Sequence, residues 1–334
     1  MLGPRSLSRI AEAAETARGG IRSALLEAAG ERRLRLPRRR RNPILEILPI
    51  NQGCLGHCAY CQTRLARGEL LSFPIADIVE RARRAIGEGA RELWLTSQDT
   101  GAYGADIGTS LPRLLEALGE LEGGHMFRLG MASPHWLKRD MAPLLDALDN
   151  PRFYRFIHAP VQSGDDRVLR AMRRPYAVRD FEWAVDAIRS RFPRAAIWTD
   201  IIAGFPTETG EEFERTLDLL RRVRPATVNR SRFSPRPGTE AAAMPQLPSG
   251  AISERSRRLA RLVEDISRES LKEWIGWAGE ARIVETKKPG TAMARNFAYR
   301  PIALRGDYEP GRIVRVRASG QTTYHLTGSE IKET

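Results

Sequence analysis

Six short apolar runs recur between residues 44 and 233, and each is separated from the next by enough chain for a helix. They are Ile44 to Ile50, Glu92 to Thr96, Met126 to Met131, Phe153 to His158, Ala195 to Ile202 and Ala226 to Phe233. Antiparallel neighbours can be joined by a two-residue turn, whereas parallel neighbours need a crossover of about a dozen residues or more. The spacing therefore predicts six βα units in series and a parallel sheet. Such a sheet either stays open in a doubly wound fold or curls into a barrel, and in both cases chemistry gathers at the carboxyl ends of the strands. The residues just past the runs are polar or small: Asn51-Gln52-Gly53-Cys54, Ser97-Gln98-Asp99-Thr100, Ser133-Pro134-His135, His158 to Gly164, Gly204-Phe205-Pro206 and Ser234 to Gly238. Together they are expected to ring one mouth.

The flanks read differently. Residues 5–30 place Leu, Ile and Ala at helical spacing around an interruption at Gly19-Gly20, which predicts a peripheral amphipathic helix. The stretch from Arg32 to Arg41 is strongly basic, and Pro37 keeps it from being one helix. It is either a solvated linker or a phosphate contact through Arg38, Arg39, Arg40 and Arg41. After a turn at Pro245 to Ser249, Ser253 to Trp274 reads as a long amphipathic helix. From Gly276 the texture turns to strands divided by Gly and Pro, fitting a small β barrel of about 60 residues. In Ile313-Val314-Arg315-Val316-Arg317 the alternation sets Arg315 and Arg317 on one strand face, a candidate RNA-facing surface. The expected division is 1–42, 43–245, 246–275 and 276–334.

Of the 334 residues, 54 are Lys or Arg and 41 Asp or Glu, a formal net charge of +13 carried almost wholly by arginine. Arginine's planar fork suits phosphate, so a polyanionic partner is expected. No apolar run approaches the roughly 18 residues needed to cross a bilayer, and the first twenty residues mix Arg and Glu with Ala and lack an apolar signal core. A cytoplasmic address and no membrane partner are expected.

Three cysteines exclude a disulfide framework, and all lie within eight residues, at Cys54, Cys58 and Cys61. The C-x3-C-x2-C spacing falls at the end of the first predicted strand. Three thiolates on one loop can hold three irons of a cubane and leave the fourth without a protein ligand, open to a substrate or cofactor. Zinc is the rival: a structural zinc wants four ligands, and His57 lies between the cysteines, where it can hardly join them. Packing of the three cysteines as small apolar residues fits poorly with a loop that contains Gly53, Gly56 and His57.

Cys54, Cys58 and Cys61, with Tyr60 before the last of them, resemble the signature of the radical S-adenosylmethionine enzymes. The resemblance implies an open parallel (βα)6 partial TIM barrel and one 4Fe-4S cluster. Its open iron chelates S-adenosylmethionine, which one-electron reduction cleaves to a deoxyadenosyl radical. The blocks Asn51 to Cys54, Tyr60-Cys61, Ala66 to Gly68, Ser97 to Gly104, His158 to Gly164, Thr199 to Pro206 and Phe233 to Thr239 look like the tRNA methylthiotransferases. Ser97-Gln98-Asp99-Thr100-Gly101-Ala102-Tyr103-Gly104 and Arg236-Pro237-Gly238-Thr239 are closest to the archaeal and eukaryotic branch, which acts on N6-threonylcarbamoyladenosine beside the anticodon. The match runs from about residue 40 to the end, and the final barrel resembles the TRAM domain that holds tRNA. Members usually begin with a flavodoxin-like domain whose three cysteines bind an auxiliary, sulfur-delivering cluster. Only about 40 residues precede the core here, residues 1–20 resemble just the last piece of that domain, and no further cysteine exists. A fragment, a split gene or a derivative without sulfur transfer is expected, with no second cluster in this chain and with tRNA, a one-electron reductant and a separate amino-terminal polypeptide as partners. The alternatives are another radical RNA modification without sulfur insertion and a non-enzymatic zinc RNA-binding module.

For the cofactor the resemblance implies Tyr60, Gln98, Asp99, Ser133, Gln162, Ser163, Asp200, Gly204 and Phe205. Each has a plain alternative. Gln98 and Asp99 suit a structural turn, Asp200 an arginine pair, and Gly204-Phe205-Pro206 support by shape. Arg173 and Arg174 offer bidentate contacts to a carboxylate or phosphate, although helix ends often carry solvated arginines.

Overall fold

The structure, a computed structural model, describes residues 1–3, 6–26, 34 and 36–331. Helix α1, Ile10–Arg18, buries none of its residues and stops at Gly19-Gly20, where Gly20 adopts φ +75°. The amphipathic helix expected over 5–30 is thus nine residues long. A left-handed glycine ends helices, and the following residues instead return to the amino terminus through a Leu2–Leu25 bridge. Positions 5 and 27–30 of that expected helix, and Arg32, Arg33 and Arg35 of the basic stretch, lie outside the described residues.

Six parallel strands follow in sequence order: β1 Leu45–Pro49, β2 Glu92–Thr96, β3 Met126–Leu129, β4 Phe156–His158, β5 Ala196–Ala203 and β6 Thr227–Arg232. β1 pairs with β2, β2 with β3, β4 with β5 and β5 with β6. Parallel bridges Phe127–Phe153 and Met131–His158 join the two halves. This is the open, six-stranded curled sheet that the resemblance implied. Helices α2 Ile75–Gly87, α3 Leu111–Gly119, α4 Pro134–Leu148, α5 Val178–Arg191 and α6 Gly210–Val223 cover its outside. Along β5 the residues Ile197, Thr199, Ile201 and Ala203 are buried, whereas Trp198, Asp200 and Ile202 are half-buried. A strand closed over by helices on one face and lining an open lumen on the other has this alternation.

Arg38 and Arg40 leave the basic stretch for the foot of β1. Glu46, 1% exposed, pairs with Arg38 and, at 3.2 Å, with Arg81, while Arg40 reaches Glu88 at 2.8 Å and the Ala85 carbonyl at 3.1 Å. A buried carboxylate must be paired to be tolerated, and these arginines supply the pairing. Arg39 and Arg41 stay exposed.

Helix α7, Ser249–Lys272, runs from the barrel to the carboxy-terminal strands β7 Ala278–Lys288, β8 Thr291–Asn296, β9 Pro301–Arg305, β10 Ile313–Gln321 and β11 Leu326–Glu330. They close into a barrel in the order β8-β9-β11-β10-β7. Arg315 and Arg317 are exposed on β10, between buried Val314, Val316 and Ala318. The two barrels interlock. Tyr299, 4% exposed in the β8–β9 connection, enters the amino-terminal end of the large barrel, with its ring centroid 5.0 Å from Tyr154, 4.8 Å from Phe156 and 6.2 Å from Trp198. No helix among the described residues is long and apolar enough to cross a membrane.

Candidate active site

The cysteine loop leaves β1 through Gly53, whose φ of +72° and close approach to the chain suit glycine alone: a Cβ there would stand 1.8 Å from the Glu69 carbonyl oxygen. The loop is pinned from both sides, by Ala59 donating to the Met172 carbonyl at 3.0 Å and Ala241 donating to the Ala59 carbonyl at 2.8 Å. Cys54, Cys58 and Cys61 are free thiols, each half-buried. The Gly56 amide donates to Cys54 Sγ at 3.2 Å and the Thr63 amide to Cys61 Sγ at 3.3 Å, and donors of this kind stabilise a thiolate. Without a metal, burial pushes the Cys54 thiol up.

The three thiols open onto a cavity of about 780 Å3 at the carboxyl ends of the strands, also lined by Tyr60, Ser97, Gln98, Asp99, Ser133 and Gln162. Burial pushes Asp99 up to about 6, although its Oδ1 accepts from the Ser133 and Gly101 amides, each at 3.1 Å. Ser97 Oγ and Gln98 Oε1 are buried with no hydrogen-bond partner, which leaves polar atoms at the wall for a polar guest. Gln162 holds φ +73°, a conformation that costs a non-glycine residue about a kcal/mol or more and is characteristic of ligand-binding positions. Its backbone is clamped to β5, donating to the Asp200 carbonyl at 2.8 Å and accepting from the Ile202 amide at 3.0 Å.

Arg174 joins the loop to the rest of the wall. It donates to Cys58 Sγ at 3.0 Å, Ser133 Oγ at 3.2 Å and Tyr176 Oη at 2.7 Å. Burial alone would lower its pKa, yet Tyr176, Tyr60 and Cys58 together raise it, so the guanidinium remains a fixed positive charge beside the thiols. The sequence offers Arg174 either a carboxylate or phosphate contact or a solvated helix end; its partners here are a thiol, a hydroxyl and a phenol. Trp136 and Met131, which also line the cavity, carried no signal beyond their place after the third strand.

The remaining expected residues lie beside the cavity, outside its lining. Ser163 is 1% exposed and bonds Thr216 Oγ1 and the Asp165 amide. Asp200 faces the lumen, where its Oδ1 meets His158 Nε2 and Asn229 Nδ2, each at 2.8 Å. Gly204 donates to Glu208 Oε2 at 3.1 Å, and Phe205 is fully buried with its ring 6.4 Å from Tyr60, a backing role by shape. Asp200 thus pairs with a histidine and an amide where an arginine was the alternative.

The donor set suits a cubane. Cys54, Cys58 and Cys61 share one loop facing a cavity with unpartnered polar atoms, and His57, the candidate fourth zinc ligand, is taken up by Arg64, 3.1 Å from its Nδ1. Among the described residues no group of three or more His, Cys, Asp or Glu side chains converges to hold a single metal ion.

The family description of the radical SAM superfamily matches residues 48–220. A probable threonylcarbamoyladenosine tRNA methylthiotransferase of Pyrococcus horikoshii is 41% identical over 320 residues, covering 94% of this chain and 75% of its own length. The chain belongs to this methylthiotransferase family of the radical SAM superfamily. Threonylcarbamoyladenosine tRNA methylthiotransferases of Drosophila pseudoobscura pseudoobscura and Homo sapiens are 46% and 42% identical over 78% and 80% of this chain. The chain spans about half of those two proteins, 49% and 48% of their lengths. Coproporphyrinogen III oxidase of Escherichia coli, a radical SAM enzyme, shares the fold at a TM-score of 0.52 and 13% identity, over 87% of this chain and 73% of that one. The family uses a 4Fe-4S cluster and S-adenosylmethionine; in this chain Cys54, Cys58 and Cys61 line one cavity.

Proposed function

We propose that this chain performs the radical chemistry of methylthiolation at C2 of N6-threonylcarbamoyladenosine, next to the anticodon of a tRNA in the cytoplasm. The observation that carries the reading is the three-thiol loop at the end of β1, open to a cavity of about 780 Å3 in a chain of this family. When bound, the cluster and S-adenosylmethionine supply a one-electron reductive cleavage that yields a carbon radical. The protein's part is placement. Cys54, Cys58 and Cys61 hold the metal, Arg174 keeps a positive charge beside Cys58 and Ser133, and Gln98, Asp99, Ser133 and Gln162 offer hydrogen bonds to the polar ends of the cofactor. Residues 43–245 form the catalytic core, 246–275 the link and 276–334 the RNA-holding barrel, with Arg39, Arg41, Arg315 and Arg317 exposed toward RNA.

The three cysteines of these 334 residues suffice for one cubane. The ligands of a sulfur-delivering cluster therefore come from outside these residues. The same count favours, as a second reading, a radical modification of RNA without sulfur insertion. Anaerobic reconstitution followed by dithionite, S-adenosylmethionine and tRNA bearing threonylcarbamoyladenosine tests both. The expected result is about four irons per chain, 5′-deoxyadenosine formation and little methylthio-nucleoside by mass. Abundant methylthio-nucleoside from this polypeptide alone overturns the inference about the sulfur donor. Stoichiometric zinc without iron overturns the radical reading.

A further inference from the structure

At the opposite end of the large barrel from the cysteines lies a second cavity, of about 260 Å3, between α5, the end of α6, the end of α7 and the β8–β9 connection. Its wall carries Arg189, Arg194, Arg222, Arg224 and Arg300 around Trp274, with Glu273 the acid among the lining residues. Two of the five are neutralised at the rim, Arg222 by Glu182 at 2.8 Å and Arg224 by Glu269. The other three are not. Arg194 and Arg300 stand over the Trp274 ring, with guanidinium carbons 5.4 and 5.7 Å from its centroid, and no carboxylate among the described residues forms an ion pair with either. Arg189 donates to the Arg224 carbonyl at 3.1 Å.

Arg300 is the informative residue. It is 8% exposed, its Nη2 donates to Ser270 Oγ at 2.8 Å, and its Nε is buried without any partner. Burial pulls its pKa down to about 10, with Glu273 offering partial relief, and burial likewise lowers Arg189. A buried guanidinium normally finds acceptors for its donors, because an unmade hydrogen bond to a charged group costs more than the bond itself contributes. Three cations facing one cavity with a single carboxylate among them lack an anion. The group best matched to several planar forks is a tetrahedral oxyanion with acceptors on all sides.

We propose that this cavity is a phosphate site whose occupant is a backbone phosphodiester of the RNA the protein modifies; the RNA half rests on the function proposed above. The site touches the core, the linking helix and the carboxy-terminal barrel together, so one phosphate would bridge all three. β5 begins at its wall and ends beside Gln162; at about 3.3 Å per residue, its eight residues set the phosphate roughly 25 Å from the cysteine mouth. The contact therefore falls on RNA distant from the reacting base. It positions the molecule and reads no sequence.

The test uses the whole chain with Arg189→Gln and Arg194→Gln combined, both away from the cysteine loop, and Arg300→Lys, which keeps the charge. RNA binding is measured across a salt series, and unfolding temperature with and without inorganic phosphate. Loss of one phosphate contact is expected to make the log–log salt slope of the double variant shallower by about 0.7 to 0.9 and to weaken binding several-fold near 0.15 M salt. Arg300→Lys should retain most of the slope. Inorganic phosphate should protect the wild-type chain and not the double variant. Parallel slopes and equal affinities would overturn this proposal alone, leaving the function above intact. Phosphate protection with an unchanged RNA slope would make it a free-anion site and overturn the RNA occupant. A wild-type chain that binds no RNA overturns both this occupant and the tRNA reading.

Discussion

Tyr299 carries the junction between the two barrels, and replacing it gives a result that ordinary packing does not predict. Its ring is enclosed by Tyr154, Phe156 and Trp198, and the Arg295 and Arg128 guanidinium carbons lie 4.0 and 5.3 Å from its centroid. Truncating a fully packed aromatic costs about 3 to 5 kcal/mol, including the cavity left behind. The edge-on ring pairs and the cation contacts place Tyr299→Ala near the upper part of that range, at about 4 kcal/mol. The backbone adds a second effect. Tyr299 holds φ +59°, in the left-handed region, where glycine is relieved by about 1 kcal/mol relative to any residue with a Cβ. Tyr299→Gly should therefore be less destabilising than Tyr299→Ala, by about 1 kcal/mol, although it removes more atoms. Urea unfolding followed by tryptophan fluorescence, to which Trp198 beside the ring contributes, reads both changes. An alanine cost below about 1 kcal/mol would refute the claim that this ring locks the barrels together. Glycine proving worse than alanine would refute the backbone half.

Arg255→Ala should destabilise by about 3 to 5 kcal/mol in chemical denaturation, because Glu208, 1% exposed and paired with Arg255 at 2.6 Å, would be left as an unpaired buried charge; Glu208→Gln combined with it should recover part of the loss. His125 is buried with both ring nitrogens unpartnered, and burial, with Arg152 nearby, lowers its pKa from 6.5 to about 4. The unfolded chain takes up that proton first, so stability should decline as pH falls from about 6.5 toward 4, and His125→Phe should flatten the decline in unfolding midpoints over that window. Arg174→Gln should weaken S-adenosylmethionine binding by about tenfold or more in anaerobic equilibrium dialysis while iron content stays unchanged, since Cys54, Cys58 and Cys61 remain; full affinity would show that the guanidinium does not serve the cofactor. Cys58→Ala should abolish the broad sulfur-to-iron absorption of the reconstituted protein.

Much of the molecule was legible in local pattern. Each strand that builds the core announces itself by an apolar run, because a strand under helices must bury one face, and the helical gaps between runs dictate parallel pairing. The cysteine spacing is equally local: three thiols within eight residues, after a strand, can reach one cluster whatever the rest of the chain does. Local pattern failed where partners are distant. Arg174 meets Cys58 across 116 residues, and Arg38 and Arg40, which read as a free basic run, are drawn onto the buried Glu46 and onto Glu88. Helix spacing over 5–30 extended the helix beyond Gly20, because periodicity records which residues can share a face and carries no record of whether a core exists to cover it. Residue type by itself determined the six-unit fold, the three-cysteine loop and the arginine-rich charge. Only the tertiary structure decided that Gln162 and Tyr299 take left-handed backbones, that Tyr299 closes the foot of the large barrel and that three unneutralised arginines face one cavity. Those outcomes depend on packing energies summed between elements far apart in the chain, and no short stretch of sequence contains both sides of such a contact.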